Sequence, residues 1–293
     1  MNVGDILRRS AKRYPNKIAL VFEDSRFSFK EFNCRVNKLA NALLKLGRRK
    51  GDRIAVLSEN CNQCIETFYA AAKAGMAIAP INPHLSFQDI RHLISNAEAT
   101  LVIVADEYKE LVQSLGPQLP SVRDVIVTGS PQNEMKGYEE FISPCSPEEP
   151  RDIVITENDL VYVPITGGTT GIPKQVMCTH RAIIADIFNM VISLHIGSED
   201  VGLLTSPGYW GRFIPLFTAP FFYMGATIIK DVFVAPGCNL EVIDKEKVTT
   251  TVLPSSFVAS MLTYQKLDQY NLSSLRSVWP LGTLLPPAAM KAA

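Results

Sequence analysis

The residues best suited to chemistry lie in one loop, Thr-Gly-Gly-Thr-Thr-Gly-Ile-Pro-Lys at positions 166–174. Its glycines let successive backbone N–H groups turn toward one concave point and let phosphate oxygens approach closely. The threonine hydroxyls add donors, and the lysine adds a flexible positive charge suited to phosphate. We therefore predict a loop that holds the phosphates of a nucleotide. The candidate phosphate-binding residues are Thr166, Gly167, Gly168, Thr169, Thr170, Gly171 and Lys174.

Two alternatives compete with this interpretation of the loop. A surface turn without a ligand is the simpler one, but the concentration of Gly, Thr and Lys directly after a predicted buried strand favours phosphate binding. The Walker phosphate loop ends Gly-Lys-Ser/Thr and leads directly into a helix. Here Pro173 precedes the lysine, and residues 175–178 continue as an extended segment before Thr179 and His180. The sequence therefore disfavours a P-loop NTPase.

Short apolar runs alternate with amphipathic helices along the chain, and these elements must position the loop. The clearest helix runs from Phe29 to Leu46, with Ser28 and Glu31 as a capping box, and others follow Ser86 and begin near His180. Several strands are rich in β-branched residues without alternation, as in strands covered on both faces. The pattern predicts an α/β protein with largely parallel sheets. The predicted strands are Ile18–Phe22, Ile54–Ser58, Ala77–Ile81, Leu101–Ala105, Val125–Thr128, Leu160–Ile165, Gly202–Thr205, Thr227–Ile229, Thr250–Leu253 and Ser277–Trp279.

Composition excludes several classes of partner. The 293 residues carry 29 basic and 29 acidic side chains, so nothing in the charge favours nucleic acid or an anionic membrane as a partner. No apolar run reaches the roughly 20 residues that a membrane-spanning helix needs. The first five residues lack the features of a signal peptide, which predicts a cytoplasmic protein.

Cysteines give a second motif. Cys61-Asn62-Gln63-Cys64 is a C-x-x-C, but no second pair follows at the spacing of a zinc site. Apolar residues follow at helical spacing, so we interpret the two cysteines as packing residues rather than as a redox or metal site. Lone histidines at 84, 92 and 195 show no partner pattern and are interpreted as surface or core residues.

Residues 166–174, followed by Val-Met-Cys-Thr-His at 176–180, resemble the phosphate-loop signature of adenylate-forming (AMP-binding) enzymes. This superfamily comprises acyl-CoA synthetases, luciferases and peptide-synthetase adenylation domains. Segments 27–32, 51–60, 74–83 and 281–286 resemble further blocks of the family in the same order, so the resemblance covers essentially the whole chain. It implies two adjacent, mostly parallel sheets covered by helices. One subdomain would comprise 1–50 plus 196–293, and the other would comprise 51–195 with the phosphate loop.

The resemblance also implies a reaction and its site. ATP would activate a small-molecule carboxylic acid as an acyl-adenylate, and coenzyme A would then take the acyl group, as in fatty acid metabolism. By the same resemblance, Thr169 is the candidate Mg²⁺ ligand and residues 281–286 form the adenine-side strand. Departures from the family occur at Gln175, at Leu281 and at Trp210, which stands in place of a histidine. The candidates beyond the phosphate loop are Gly282, Thr283 and Leu284 for adenine, and Tyr209, Trp210 and Gly211 for the acyl substrate.

The family's later blocks, with its magnesium-binding glutamate, ribose-binding aspartate and adenylation lysine, are expected beyond Ala293. We therefore interpret the chain as an incomplete N-terminal portion, assign it no catalytic residue, and expect it to be inactive alone. The alternative is a non-catalytic nucleotide-binding or interaction module with the same fold. An α/β hydrolase is disfavoured because no G-x-S-x-G occurs. The sequence leaves open which acid is used, whether a carrier-protein thiol replaces coenzyme A, and the oligomeric state, a dimer included.

Overall fold

The structure is a computed structural model that describes residues 1–59, 61–166, 173–209, 213–230, 235–285 and 287–292. The strands are β1 Ile18–Phe22, β2 Ser25–Ser28, β3 Arg53–Leu57, β4 Ala77–Ile81, β5 Leu101–Val104, β6 Asp124–Val127, β7 Lys136–Gly137, β8 Leu160–Tyr162, β9 Cys178–Thr179, β10 Val201–Leu204, β11 Thr227–Lys230, β12 Thr250–Pro254 and β13 Ser277–Leu281. The α-helices are α1 Gly4–Arg13, α2 Phe29–Lys45, α3 Asn62–Ala74, α4 Phe87–Asn96, α5 Lys109–Leu115, α6 Tyr138–Ile142, α7 His180–Leu194, α8 Ala219–Met224, α9 Pro236–Glu246, α10 Ser255–Leu262 and α11 Pro287–Ala292.

Within the described ranges the strands form two sheets. The first has six strands in the order β13-β12-β10-β11-β1-β2, and the second has seven in the order β7-β6-β5-β3-β4-β8-β9. All neighbours are parallel except the pairs β1–β2 and β8–β9. The predicted fold class, two mostly parallel sheets covered by helices, is confirmed.

Each predicted strand overlaps an observed one, with small differences at the ends. The largest difference is at Leu160–Ile165, where β8 ends at Tyr162 and Ile165 makes only an isolated bridge to Gln175. Three strands, β2, β7 and β9, and six helices, α1, α5, α6, α8, α9 and α10, were not predicted. The first sheet draws its strands from residues 18–28 and 201–281, and the second from 53–179. The predicted subdomain bounds at 50/51 and 195/196 stay a prediction.

Alternating side chains on the central strands divide the interior into layers. Ile54 and Val56 of β3 point to the main core, which also contains residues of α1, α2, α3, α7 and α8 and of the first sheet. Ala55 and Leu57 point to the other face, where α4 and α5 pack. The outer face of the first sheet packs against α9 and α10 through Leu203 and its neighbours. The two sheets therefore enclose one layer of helices, and each has helices on its outer face.

Local signals set the helix starts as predicted. Ser28 caps α2, with its Oγ accepting from the Glu31 N–H at 3.2 Å while the Glu31 carboxylate accepts from the Ser28 N–H at 2.8 Å. Ser86 caps α4 through the Asp89 N–H at 3.2 Å. These bonds pair N–H groups that the first turn of a helix leaves free.

A buried carboxylate ties the helix layer to the second sheet. Glu66 of α3 is fully buried and accepts hydrogen bonds from Arg35 Nε at 2.8 Å, Asn62 Nδ2 at 2.7 Å and Tyr138 Oη at 2.8 Å. Burial raises the pKa of the Tyr138 phenol, and the Glu66 charge acts in the same direction. The network satisfies a charge whose burial would otherwise be costly.

The proline-rich segment 143–150 is largely exposed, but side chains of the helix layer hold it in place. Lys73 Nζ, a buried ammonium, reaches both Glu149 carboxylate oxygens at 2.8 Å. Asn37 Nδ2 donates to the Pro147 carbonyl at 2.8 Å. Burial lowers the pKa of Lys73 to about 8, although the Glu149 charge opposes this.

No helix in the described part of the chain is long and apolar enough to cross a bilayer.

Candidate functional site

The two ends of the predicted phosphate loop are held together by a short antiparallel pairing. Beyond β8, the Thr166 N–H donates to the Lys174 carbonyl at 2.8 Å, and the Val176 N–H donates to the Pro164 carbonyl at 3.0 Å. Ile165 and Gln175 form the bridge between these two bonds. Thr166 and Lys174 are both exposed at the base of the loop. The structure therefore brings a hydroxyl and an ammonium-bearing residue together where β8 leaves the sheet.

The Gln175 side chain fixes this pairing to the neighbouring helix. Its Oε1 accepts a hydrogen bond from Asn96 Nδ2, at the end of α4, at 2.7 Å. A glycine, which the resemblance leads one to expect here, could not make this contact. The remaining predicted phosphate ligands, Gly167, Gly168, Thr169, Thr170 and Gly171, lie outside the described residues, and so does the Mg²⁺ prediction at Thr169.

The predicted adenine-side residues follow β13 at an edge of the first sheet. Gly282 has φ +87°, a conformation that favours glycine, and an added Cβ would meet nothing within 4 Å. Ser255 Oγ, at the end of β12, donates to the Leu281 carbonyl at 3.2 Å and is also close to the Thr283 carbonyl. Leu284 is 91% exposed, so its side chain is not part of the core. Among the described residues, no hydrogen bond links this turn to residues 164–176.

Tyr209 marks the contact between the carboxyl ends of the two sheets. The Gly208 N–H, just beyond β10, donates to the Glu59 carbonyl, just beyond β3, at 2.7 Å. Tyr209 stacks edge-on against His84, with ring centroids 6.3 Å apart, and lines a small cavity with Ser58 and Gly208. Burial raises the pKa of the Tyr209 phenol, and the Glu59 charge adds to this. The other two predicted acyl-site residues, Trp210 and Gly211, lie outside the described residues.

A polar cluster at this junction was not predicted. His84 Nε2 and Tyr108 Oη lie 2.5 Å and 2.9 Å from the same Glu59 carboxylate oxygen, Oε1. The interpretation of His84 as a lone histidine therefore missed its partner, although the side chain is exposed as expected for a surface residue. Glu59, His84 and Tyr108 follow the ends of β3, β4 and β5. Because neighbouring parallel strands end at one edge, this arrangement was a usable signal in the sequence.

A buried lysine lies in the wall between the sheets and was also missed. Lys230, the last residue of β11, is 4% exposed. Its ammonium lies 4.6 Å from the centroid of the Phe213 ring and donates to the Ser206 carbonyl. The ammonium is therefore held inside the protein, between a backbone carbonyl and an aromatic ring. A charged residue at the end of an otherwise apolar strand was a signal in the sequence that could have identified this lysine.

Two further histidines have structural roles. His180 is fully buried at the start of α7, and its Nδ1 accepts a hydrogen bond from the Val3 N–H at 3.1 Å. His195 takes the left-handed conformation that ends α7. No group of three or more His, Cys, Asp or Glu side chains suited to a metal occurs in the part of the chain that the structure describes.

Comparison with known proteins agrees with this geometry. A family model described as "AMP-binding enzyme" matches residues 7–293. The chain is 26% identical over 279 residues to a feruloyl-CoA synthase of Amycolatopsis sp, covering 95% of this chain and 54% of that protein. It is 25% identical over 301 residues to 4-hydroxybutyrate–CoA ligase 2 of Metallosphaera sedula, covering 98% of this chain and 53% of that protein. The chain thus spans about half the length of these curated relatives.

Solved structures show the same fold. The inhibitor-bound N-terminal domain of FACL13 from Mycobacterium tuberculosis superposes with a TM-score of 0.90 at 25% identity, over 99% of this chain and 72% of that one. The family match extends over nearly the whole sequence, from α1 to the final residue. The two curated relatives named above are a feruloyl-CoA synthase and a 4-hydroxybutyrate–CoA ligase. The chain therefore belongs to the AMP-binding enzyme family and has the fold of the N-terminal part of an acyl-CoA ligase.

Proposed function

We propose that this chain is the nucleotide-binding portion of an ATP-dependent acid–thiol ligase. In the first step a carboxylate oxygen of the substrate attacks the α-phosphorus of ATP, and pyrophosphate leaves with the electron pair of the broken P–O bond. In the second step the sulfur of coenzyme A attacks the acyl carbon, and AMP leaves. The family relationship supports this chemistry, and the curated relatives named above are CoA ligases.

The observation that carries the proposal is the pairing that closes the 166–174 loop. It holds the Thr166 hydroxyl and the Lys174 carbonyl 3.3 Å apart and leaves both residues exposed. The pairing holds Thr166 and Lys174 next to each other at the base of the predicted loop, where one ligand could contact both residues. We therefore propose that Thr166, Lys174 and the five predicted residues between them, at 167–171, hold the ATP phosphates.

Two further sites follow from the same proposal. The turn at Gly282–Leu284 would hold adenine, because its backbone is exposed and bears no large packed side chain. The wall around Tyr209 would hold the acyl group, with Trp210 and Gly211 beside it. The relatives' names include an aromatic acid and a short hydroxy acid, so we propose a small organic carboxylic acid as substrate and a role in acyl-CoA metabolism, in the cytoplasm.

Magnesium would accompany ATP and neutralise phosphate charge, with Thr169 as its proposed protein contact. Coenzyme A is the proposed acceptor thiol, as the names of the curated relatives indicate. A ligase of this kind leaves little covalent work to the protein, because positioning and charge stabilisation supply the rate.

The test uses the product of the complete reading frame and a panel of aliphatic and aromatic carboxylic acids. We expect acid-dependent ATP–pyrophosphate exchange, followed by thioester formation with coenzyme A. Lys174→Ala removes one charged hydrogen bond to phosphate, worth about 1.5–3 kcal/mol, so exchange should fall roughly ten- to hundredfold. Lys45→Ala, at an exposed lysine in the last turn of α2, is the matched control and should leave exchange unchanged.

Two results would separate the alternatives. ATP binding without exchange for any acid would favour a non-catalytic nucleotide-binding module. Equal exchange rates for Lys174→Ala and Lys45→Ala would remove the phosphate-loop assignment. For the 293-residue chain alone we predict ATP binding by calorimetry but no exchange at the rate of the complete protein.

A further inference from the structure

We propose that Cys61 and Cys64 form a vicinal dithiol that is reversibly oxidised to a disulfide. The two Sγ atoms lie 3.3 Å apart, within contact distance. The C-x-x-C spacing alone predicted two packing residues, whereas the structure shows a direct contact between their sulfur atoms. The inference concerns a modification site and does not depend on the proposed ligase activity.

The backbone at this motif suits a disulfide. Cys61 is the N-cap of α3, with φ −160° and ψ 158°, and Cys64 lies in the first turn of that helix. The Cys64 N–H donates to the Cys61 carbonyl at 3.3 Å, so the two residues are held in one tight turn. A disulfide needs the sulfur atoms about 2.05 Å apart, so a shift of roughly 1 Å shared by both side chains closes the bond.

The two thiols differ in acidity: the contact with Cys64, together with burial, raises the pKa of Cys61 well above its ordinary value, so the anion of the pair lies on Cys64. The first turn of a helix offers free N–H groups and a favourable dipole, which promote ionisation of a nearby thiol. The hydrogen bond from Cys61 lowers the pKa of Cys64 against the opposing effect of burial, and the nearby Lys230 ammonium contributes in the same direction. The Ser58 hydroxyl lies 3.4 Å from Cys61 Sγ and can stabilise an anion on that sulfur.

The two sulfur atoms differ in how far solvent can reach them. A two-step thiol–disulfide exchange needs one accessible cysteine and one resolving cysteine beside it. Cys61 is partly exposed, whereas Cys64 is 5% exposed. A small-molecule disulfide can therefore reach Cys61 but not its partner. Attack from Cys61 therefore requires that its proton passes to the Cys64 thiolate across the 3.3 Å contact between the sulfur atoms.

The electron balance uses a small-molecule disulfide as oxidant. The Cys61 thiolate attacks one sulfur of the oxidant, one thiolate leaves, and a mixed disulfide remains on Cys61. The Cys64 thiolate then attacks Cys61 Sγ, and the second small thiolate leaves. The two cysteines lose two protons and two electrons, and the oxidant becomes two thiols.

Oxidation of Cys61 and Cys64 would alter the packing where the two sheets meet. Cys64 lines the same small cavity as Ser58, Gly208 and Tyr209, where the two sheets meet. Closing the disulfide would shift the two sulfur atoms by roughly 1 Å in total beside this cavity. The oxidation state of the pair is therefore coupled to the junction between the sheets.

The test exposes the native 293-residue chain to oxidised glutathione, alkylates the remaining thiols and maps them by peptide mass spectrometry. We expect an intramolecular disulfide between Cys61 and Cys64, with both thiols recovered after reduction. Cys64→Ser should stop the reaction at a glutathione adduct on Cys61, because the resolving sulfur is missing. Cys238→Ser, at an exposed cysteine outside the motif, is the control and should not alter formation of the 61–64 disulfide.

The result that overturns the proposal is alkylation of both Cys61 and Cys64 under conditions that modify Cys238 with glutathione. A Cys64→Ser variant that gives the same products as the wild type would also overturn it. The wild-type measurement stands without the variant, so a folding defect in Cys64→Ser cannot obscure the outcome. Loss of ligase activity in the complete protein has no bearing on either result.

Discussion

Acidification from neutral pH should destabilise this protein through His180. The side chain is fully buried, and its Nδ1 accepts a hydrogen bond from the Val3 N–H at 3.1 Å. Protonating Nδ1 would remove this acceptor and place an unpaired charge in the core between α1 and α7. Burial therefore lowers the pKa of His180 from 6.5 to about 4, although the negative charges of Asp159 and Asp5 oppose the shift.

The sign and size of the effect follow from linkage. The folded state holds His180 neutral between pH 6.5 and about 4, whereas the unfolded chain binds a proton there. The folding free energy contributed by this group is thus intact above pH 6.5 and falls as the pH drops through that window. At about 1.4 kcal/mol per pKa unit, the loss reaches about 2 kcal/mol near pH 5 and roughly 3 kcal/mol below pH 4.

Urea denaturation of the wild type and of His180→Asn, followed by circular dichroism from about pH 7.5 to 5, measures this loss. Asn offers an acceptor oxygen near the position of Nδ1 but does not titrate. The wild type should lose about 2 kcal/mol more than the variant across this range. His92→Asn, at an exposed histidine on α4, is the control and should follow the wild type. Parallel pH profiles for the wild type and His180→Asn would refute the reasoning.

Two further predictions concern the packing around the helix layer. Gly225→Ala should lower the free energy of unfolding by more than about 2 kcal/mol, because φ is +76° and the new Cβ would lie 2.2 Å from the Tyr14 ring. Gly47→Ala has a similar φ, +85°, but nothing lies within 4 Å of the new Cβ, so its free energy of unfolding should fall by less. The difference between the two variants gives the steric contribution. Equal losses in urea denaturation would contradict this prediction. Tyr138→Phe removes a 2.8 Å hydrogen bond to the buried Glu66 carboxylate and should cost about 1.5–3 kcal/mol. A loss below about 0.5 kcal/mol in the same assay would contradict the importance of that bond.

The candidate site was predictable where its residues are close in sequence. The loop at 166–174 stands out by composition, and its order relative to the other blocks indicated the family. The cluster of Glu59, His84 and Tyr108 was not found, because its members follow three different strands and meet only once those strands are in register. Positions of individual site residues toward ATP and the acid remain predictions.

Helix starts and strand cores are determined by the sequence alone. The Ser28–Glu31 capping box is a contact between residues three apart, and its geometry depends on little else. Buried strands such as Ala77–Ile81 are apolar on both faces, and such a run has few alternatives in an α/β chain. Burial and local hydrogen bonding act within a few residues, so the fold class could be predicted.

Only the tertiary structure decided which distant groups became partners. Lys73 and Glu149 are 76 positions apart and pair because segment 143–150 crosses α2 and α3. The same C-x-x-C spacing occurs in packing residues, in zinc sites and in redox-active dithiols. The contact between Cys61 and Cys64 depends on where β3 ends and α3 begins. The phosphate loop was evident as a composition, but the pairing that closes it depends on β8 and its return segment lying side by side. Long-range register is a cooperative property of the packed sheets, and no local pattern encodes it.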